Sequence, residues 1–144
     1  MGEYAHSVDA KGRVIMPAKF RDELGTSFIV TRGLEGCLSV YTQEGWARFA
    51  TGMQKLQASK ENVRAFKRFL CGSAAELEFD KQGRILIPAT LREYAHLVKD
   101  VIVLGTGDKI EIWSKEAYAA YSEKTVPAME AIAETLEGFG DLEF

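Results

Sequence analysis

The 144-residue chain is poor in the residues that hold metals and staple small folds, with two cysteines, two histidines and three prolines. Cys37 and Cys71 lack a CxxC spacing, and neither His6 nor His96 stands beside them. That excludes a zinc ribbon or a disulfide framework and makes both cysteines small buried thiols. No GxSxG, HExxH or Walker loop occurs, and two histidines in unlike settings leave a Ser-His-Asp arrangement little to draw on. Apolar runs are short: Val101–Leu104 is among the longest, against the roughly 20 residues of a membrane span. The first twenty residues carry Glu3, Asp9, Lys11 and Arg13 where a signal peptide needs an apolar core, so a cytoplasmic protein is expected.

What the chain does have is 47% hydrophobic and 27% charged residues, enough to bury a core in one domain or in two half-sized units that share one. The net charge of −3 is unevenly placed. Residues 115–144 hold seven acids against Lys115 and Lys124, and taking these from the 18 basic and 21 acidic residues of the chain leaves 16 and 14 in the rest. The body is therefore mildly basic and the tail acidic, which neither requires nor excludes a polyanionic partner.

An internal repeat dominates the sequence. Asp9–Asp22 (DAKGRVIMPAKFRD) aligns without a gap on Asp80–Glu93 (DKQGRILIPATLRE), an offset of 71. Six of fourteen positions are identical, and positions 14/85, 15/86, 16/87 and 20/91 stay apolar. The likeness continues from Phe28–Val30 to Val101–Val103 and from Val40–Trp46 to Ile112–Tyr118. A copy of about forty residues is near the size below which a unit rarely folds alone, so the two are expected to share a core as a pseudo-twofold pair.

Within a copy the pattern predicts strand, turn, strand, short helix and two closing strands. Ala75, Leu77 and Phe79 alternate with Glu76 and Glu78 as in a half-buried strand. Asp-x-x-Gly supplies a type I turn that closes a hairpin on the strand Arg84–Ile87. Pro17 and Pro88 stop the second strands and open helices over Ala18–Leu24, ended by Gly25, and Ala89–Tyr94. Phe28–Thr31 with Cys37–Tyr41, and Val101–Leu104 with Ile110–Trp113, form the closing strands. Between the copies Ser59 caps a helix with an apolar stripe at Val63, Phe66, Phe69 and Leu70 and a basic face of Lys60, Arg64, Lys67 and Arg68. Thr42 and Ser114 cap helices starting near Trp46 and Tyr118. Over 126–144 a helical stripe of Met129, Ile132, Ala133 and Leu136 precedes Gly138 and Gly140, an end either disordered or packed on a neighbouring subunit.

Three features bear on chemistry. Asp9 and Asp80 are the one carboxylate pair that symmetry can bring together, but each has an Arg four residues on, which favours a turn cap over acid–base work. The two turns gather Lys11 and Arg13, and Lys81 and Arg84, at hairpin tips: either solvated charged turns or a β element that presents arginine to a DNA groove. Arg21 and Arg92 recur after the prolines and suit either a structural ion pair with Asp or Glu or a ligand contact. The basic face of residues 60–68 is a weaker polyanion surface, and Tyr41, Trp46, Trp113 and Tyr118, at matching positions, are packing residues rather than base-stacking platforms.

Gly2–Arg21, Phe28–Leu38 and Asp80–Pro88 together resemble the MraZ family of bacterial transcriptional regulators, over roughly residues 2–121. The resemblance implies an α+β fold with a mainly β core, two AbrB-like swapped-hairpin repeats in a pseudo-twofold barrel, and helices between and after them. It divides the chain into a first repeat (3–47), a helical linker (48–73), a second repeat (74–121) and an acidic helical tail (122–144). It further implies no enzyme activity, cofactor, metal or small-molecule substrate. The expected partners are double-stranded DNA, at repeated promoter boxes of an operon for cell division and cell-wall synthesis, and further copies of the chain in a ring. The expected role is a nucleoid-associated repressor of its own operon. DNA contact falls on Lys11, Arg13, Lys81 and Arg84, with Asp9, Gly12, Asp80 and Gly83 shaping the turns. Gln82 replaces Lys11 and Thr90 replaces Lys19 in the second copy, so Lys11 and Arg13 are expected to contribute more than Arg84. Two other readings remain open at this point: an AbrB-type module whose partner is a protein, and an enzyme that uses Asp9 and Asp80.

Overall fold

Alternation of apolar and polar residues builds two β layers in the computed structural model, which describes residues 1–143. The first copy forms β1 (Gly2–Ser7), β2 (Arg13–Ile15), α1 (Ala18–Leu24), β3 (Ser27–Arg32) and β4 (Leu38–Thr42), followed by α2 (Gln43–Gln54) and α3 (Glu61–Cys71). The second repeats the order as β5 (Ala75–Glu78), β6 (Arg84–Leu86), α4 (Ala89–Tyr94), β7 (Asp100–Gly105) and β8 (Ile110–Ser114), then α5 (Lys115–Thr125) and α6 (Met129–Glu134). Six strands make an antiparallel sheet in the order β1-β7-β8-β4-β3-β5, and β2 and β6 make a separate two-stranded ribbon. Exchanging equivalent strands of the two copies reverses the sheet order onto itself, so a pseudo-twofold axis passes between β4 and β8. The fold is thus α+β with tandem β-hairpin repeats about that axis, as the sequence implies.

The hairpins are swapped. Each Asp-x-x-Gly segment closes its turn, with Asp9 N–H donating to Arg13 O at 2.9 Å and Asp80 N–H to Arg84 O at 2.9 Å. Beyond the turn the strands part: Val8, just past β1, makes an isolated bridge to Val14, while β2 pairs with β6, β1 with β7, and β5 with β3. The pattern within a copy predicts a hairpin there, whereas the resemblance implies swapped hairpins, and the structure has the swapped form, with the ladder between copies. The reason is burial, because Val14 and Ile85, opposite each other in the ribbon, are both fully buried and can be covered on one side only if the strands share one core.

That core lies between the ribbon and one face of the sheet. Phe28, Val30, Leu38, Val40, Val101, Val103, Ile110 and Ile112 point up to it, and Val14, Met16, Ile85 and Ile87 point down. Phe20 and Leu24 of α1 and Leu91 of α4 close its ends. The opposite face of the sheet carries Ile29, Thr31, Ile102 and Trp113, covered by α2, α3 and α5. There the Thr31 hydroxyl donates to Leu70 O of α3 at 2.5 Å. The recurring aromatics pack here as expected, Tyr41 with Trp46 at 5.6 Å and Trp113 with Tyr118 at 5.3 Å between ring centroids.

Helix boundaries differ from expectation in three places. Thr42 and Ser114 do cap, accepting from Gly45 N and Ala117 N, but the helices begin at once, at Gln43 and Lys115, because the strands run directly into them. Lys60, not Ser59, stands at the cap of α3 and its side chain makes no cap bond; the Ser59 carbonyl instead accepts from Arg64 Nη1 at 2.9 Å. The tail stripe is shorter than read, with α6 ending at Glu134 and a 3-10 turn over Phe139–Asp141, while Phe144 lies outside the described residues. Cys37 is buried, and burial pushes its thiol up to about 12, but Cys71 is exposed on the last turn of α3. Among the described residues no helix is long and apolar enough to cross a membrane, and no group of three His, Cys, Asp or Glu is placed to hold a metal.

The Val14–Ile85 contact should dominate stability. Ile85→Ala is expected to lower the unfolding free energy by about 2–5 kcal/mol in urea titration; a loss below the error of the measurement would show that the ribbon is not part of the cooperative core.

Candidate nucleic-acid interface

Each turn is built by its aspartate. Asp9 Oδ1 accepts the backbone N–H of Lys11 and of Arg13, both at 2.9 Å, and Oδ2 accepts Arg13 Nε–H at 2.7 Å. Asp80 repeats this with the N–H of Gln82 and Arg84, both at 2.9 Å, and Arg84 Nε–H at 2.8 Å. The backbone N–H of Arg13 is the main reason that Asp9 falls from the ordinary 3.8 to about 2, against a partial opposing effect of desolvation, and the backbone N–H of Arg84 lowers Asp80 in the same way. With three donors on each, both carboxylates are committed to turn structure.

The two turns also lock onto each other. Ile87 N–H donates to Gly12 O at 3.1 Å and Met16 N–H to Gly83 O at 3.2 Å, which ties the end of each ribbon strand to the turn of the other copy. Arg92 Nε–H donates to Ile87 O at 2.9 Å and Arg21 Nη1–H to Met16 O at 2.6 Å. Their guanidinium groups fill the places where side chains would stand on the turn glycines. A Cβ on Gly12 would lie 2.6 Å from Arg92 Cζ, and one on Gly83 would lie 2.9 Å from Arg21 Cζ. Glycine is favoured by φ of +88° and +75°, and any other residue would also have to displace the arginine beside it. The expected ion pairs of Arg21 and Arg92 with acids do not form among the described residues; both arginines serve backbone carbonyls and the opposite turn. Their identity in the repeat was the available signal, but only the swapped pairing shows what they touch.

The ribbon then sorts its side chains. Val14 and Ile85 face the core, which turns Arg13 and Ile15, and Arg84 and Leu86, to the outside. Arg13 stands opposite Leu86, and Ile15 opposite Arg84. Arg13 has one acid within 4 Å, Asp9, whereas Arg84 has two, Asp80 and, at 4.0 Å, Asp9. Lys11 and Lys81 are exposed on the turns and belong to no ion pair among the described residues. Arg13 and Arg84 thus share the outward face of one ribbon, whose two turns carry the exposed Lys11 and Lys81. The basic residues of α3 are elsewhere, on the Thr31 face of the sheet away from the ribbon, and Arg64 is partly spent on the carbonyls of Ala58 and Ser59.

Comparison with known proteins adds the family. Residues 1–69 and 70–139 each match the profile of the family described as "MraZ protein, putative antitoxin-like". Proteins named Transcriptional regulator MraZ are similar over nearly the whole chain. That of Heliobacterium modesticaldum is 50% identical over 139 residues, covering 96% of this chain and 97% of its own. That of a Thermoanaerobacter species is 53% identical over 137 residues, 95% and 96% of the two chains. A third, from Ligilactobacillus salivarius, is 50% identical over 139 residues, 96% and 97%.

The bonded turn has a pH signature. The Asp9 carboxyl carbon should titrate by NMR with a midpoint near 2. Because that value lies below the one in the unfolded chain, the stabilisation is present in full above about pH 5 and is lost as pH falls toward about 2; Asp9→Asn removes the share of that slope due to Asp9 and leaves the share due to Asp80. A midpoint at the ordinary 3.8 would mean that the carboxylate is not engaged by the turn.

Proposed function

The chain belongs to the MraZ family of transcriptional regulators, a non-enzyme class, and we propose that it regulates by inserting the β2–β6 ribbon into the major groove of promoter DNA. The observation that carries this reading is the outward patch, in which pairing between copies brings Arg13 and Arg84 to one face of one ribbon. A major groove of about 12 Å accepts a two-stranded ribbon, and guanine offers O6 and N7 there to an arginine fork. Asp9 takes the Nε–H of Arg13 and so aims its two Nη groups outward as a pair. Asp80 does the same for Arg84, whose Nη1 is drawn partly toward Asp9. Lys11 and Lys81, on the turns, reach phosphates on either side.

One chain offers few cations and a net charge of −3, so a single ribbon binds weakly. A ring of copies that presents the ribbon to successive promoter boxes gains affinity through effective concentration. In this reading residues 3–47 and 74–121 are the repeats that together build the reading ribbon, 48–73 joins them, and 122–144 is an acidic tail turned to neighbouring subunits. The target is the upstream region of its own operon for cell division and cell-wall synthesis, where the bound ring excludes polymerase. The protein acts in the cytoplasm, on the nucleoid.

Fluorescence anisotropy on its own upstream region and on scrambled DNA of equal length, over a salt series, tests the assignment. Arg13→Ala should cost about 5- to 150-fold on the specific DNA with the fold retained by circular dichroism, and Arg84→Ala should cost less. Lys11→Ala should weaken both DNAs alike and reduce the salt slope by about 1. Undiminished binding by Arg13→Ala removes Arg13 from the interface, and equal affinity for both DNAs turns the reading to a module whose partner is a protein.

A further inference from the structure

Ile15 and Leu86 occupy equivalent positions in the two copies and lie on the outward face of the ribbon, 48% and 57% exposed. The core does not need them, since Val14 and Ile85 supply its contacts from this ribbon and the outward positions of a one-sided antiparallel pair are ordinarily polar. A single exposed aliphatic residue requires no explanation. Here there are two, related by the pseudo-twofold axis, each directly opposite an arginine in the ladder of a ribbon whose turns carry Lys11 and Lys81. A surface meant only for water or for phosphates would gain nothing from large apolar side chains at its centre.

We propose that Ile15 and Leu86 are specificity-determining residues that pack on the C5-methyl groups of thymines next to the bases read by Arg13 and Arg84. The proposal rests on the DNA-reading role argued above and adds to it the base class that the apolar half of the patch selects. The thymine methyl is the one apolar group that a base pair displays in the major groove. Spacing allows the contact: neighbouring outward residues on one strand are about 7 Å apart and cross-strand partners about 5 Å, against about 3.4 Å for one base-pair step. An arginine and its aliphatic neighbour therefore address adjacent base pairs or pairs two steps apart. Arginine supplies donors for guanine, the aliphatic side chain rejects the hydrated amino group of cytosine and accepts the methyl, and the register fixes which is where.

The test compares the upstream duplex containing thymine with the same sequence made with deoxyuridine, which lacks only the methyl, using the full-length protein and its Ile15→Ser/Leu86→Ser double variant in anisotropy titrations. Wild type should bind the thymine duplex about fourfold more tightly for each methyl buried. In the double variant the ratio should fall to about 1. Any effect of deoxyuridine on DNA stiffness acts on both proteins and cancels in the cycle. Should circular dichroism show the double variant misfolded, the single variants Ile15→Ser and Leu86→Ser close the same cycle, and a wild-type ratio of about 1 overturns the proposal without any variant. Equal thymine-to-uracil ratios in wild type and double variant overturn the proposal while leaving DNA reading intact. A change in oligomer size on gel filtration with no change in the ratio also overturns it and assigns the pair to a contact between copies. No preference of wild type for the upstream duplex over scrambled DNA overturns the DNA-reading role itself, and this proposal with it.

Discussion

The pairing of β2 with β6 is the constraint on which the rest depends. It buries Val14 against Ile85 over the sheet, and in doing so determines the direction of every other side chain on the ribbon. A strand has two faces and a period of two, so once one face is committed to the core the other is committed to solvent. Arg13, Ile15, Arg84 and Leu86 are outward for this reason. The same pairing brings the turn of each copy onto the helix that follows the ribbon strand of the other, which is why Arg92 lies beside Gly12 and Arg21 beside Gly83.

An acidic chain can engage an anion when its few cations are held in place, because fixed geometry substitutes for charge number. The turns achieve this with aspartate. Each carboxylate satisfies two backbone N–H groups and the Nε of its own arginine, so the guanidinium loses rotamer freedom before any partner arrives. The glycines complete the arrangement, since the space they leave is taken by an arginine of the other copy. Each turn is in effect supported by both repeats.

The two faces of the sheet divide the work. The ribbon side holds the core and the cationic patch, and the other side holds α2, α3 and α5 with their aromatic contacts. The copies have diverged most in these helices: α3 carries Arg64, Lys67 and Arg68, whereas the corresponding segment around α6 carries Glu130 and Glu134. The ribbon, by contrast, stays close to twofold, differing chiefly by Gln82 in place of Lys11 and by the second acid near Arg84.

Much of the architecture is legible in the amino-acid order. The repeat at an offset of 71, the strands around Phe28–Val30 and Val101–Val103, the helices after Pro17 and Pro88 and the caps at Thr42 and Ser114 follow from local periodicity and turn chemistry, and the structure has them at those places. The aspartate turns were legible too, because Asp, Gly and Arg at that spacing satisfy one another locally. What a pattern within one copy does not carry is which strand pairs with which, since β2 has the same alternation whether its partner is β1 or β6. The roles of Arg21 and Arg92, the exposure of Cys71 and the outward pairing of Ile15 with Arg84 likewise depend on residues about seventy positions away or on the opposite side of the sheet. Local sequence determined the elements and their turns because those energies act over a few residues. Tertiary structure alone decided the swap and the surface it creates, because only the shared core makes burying Val14 and Ile85 together more favourable than closing two separate hairpins.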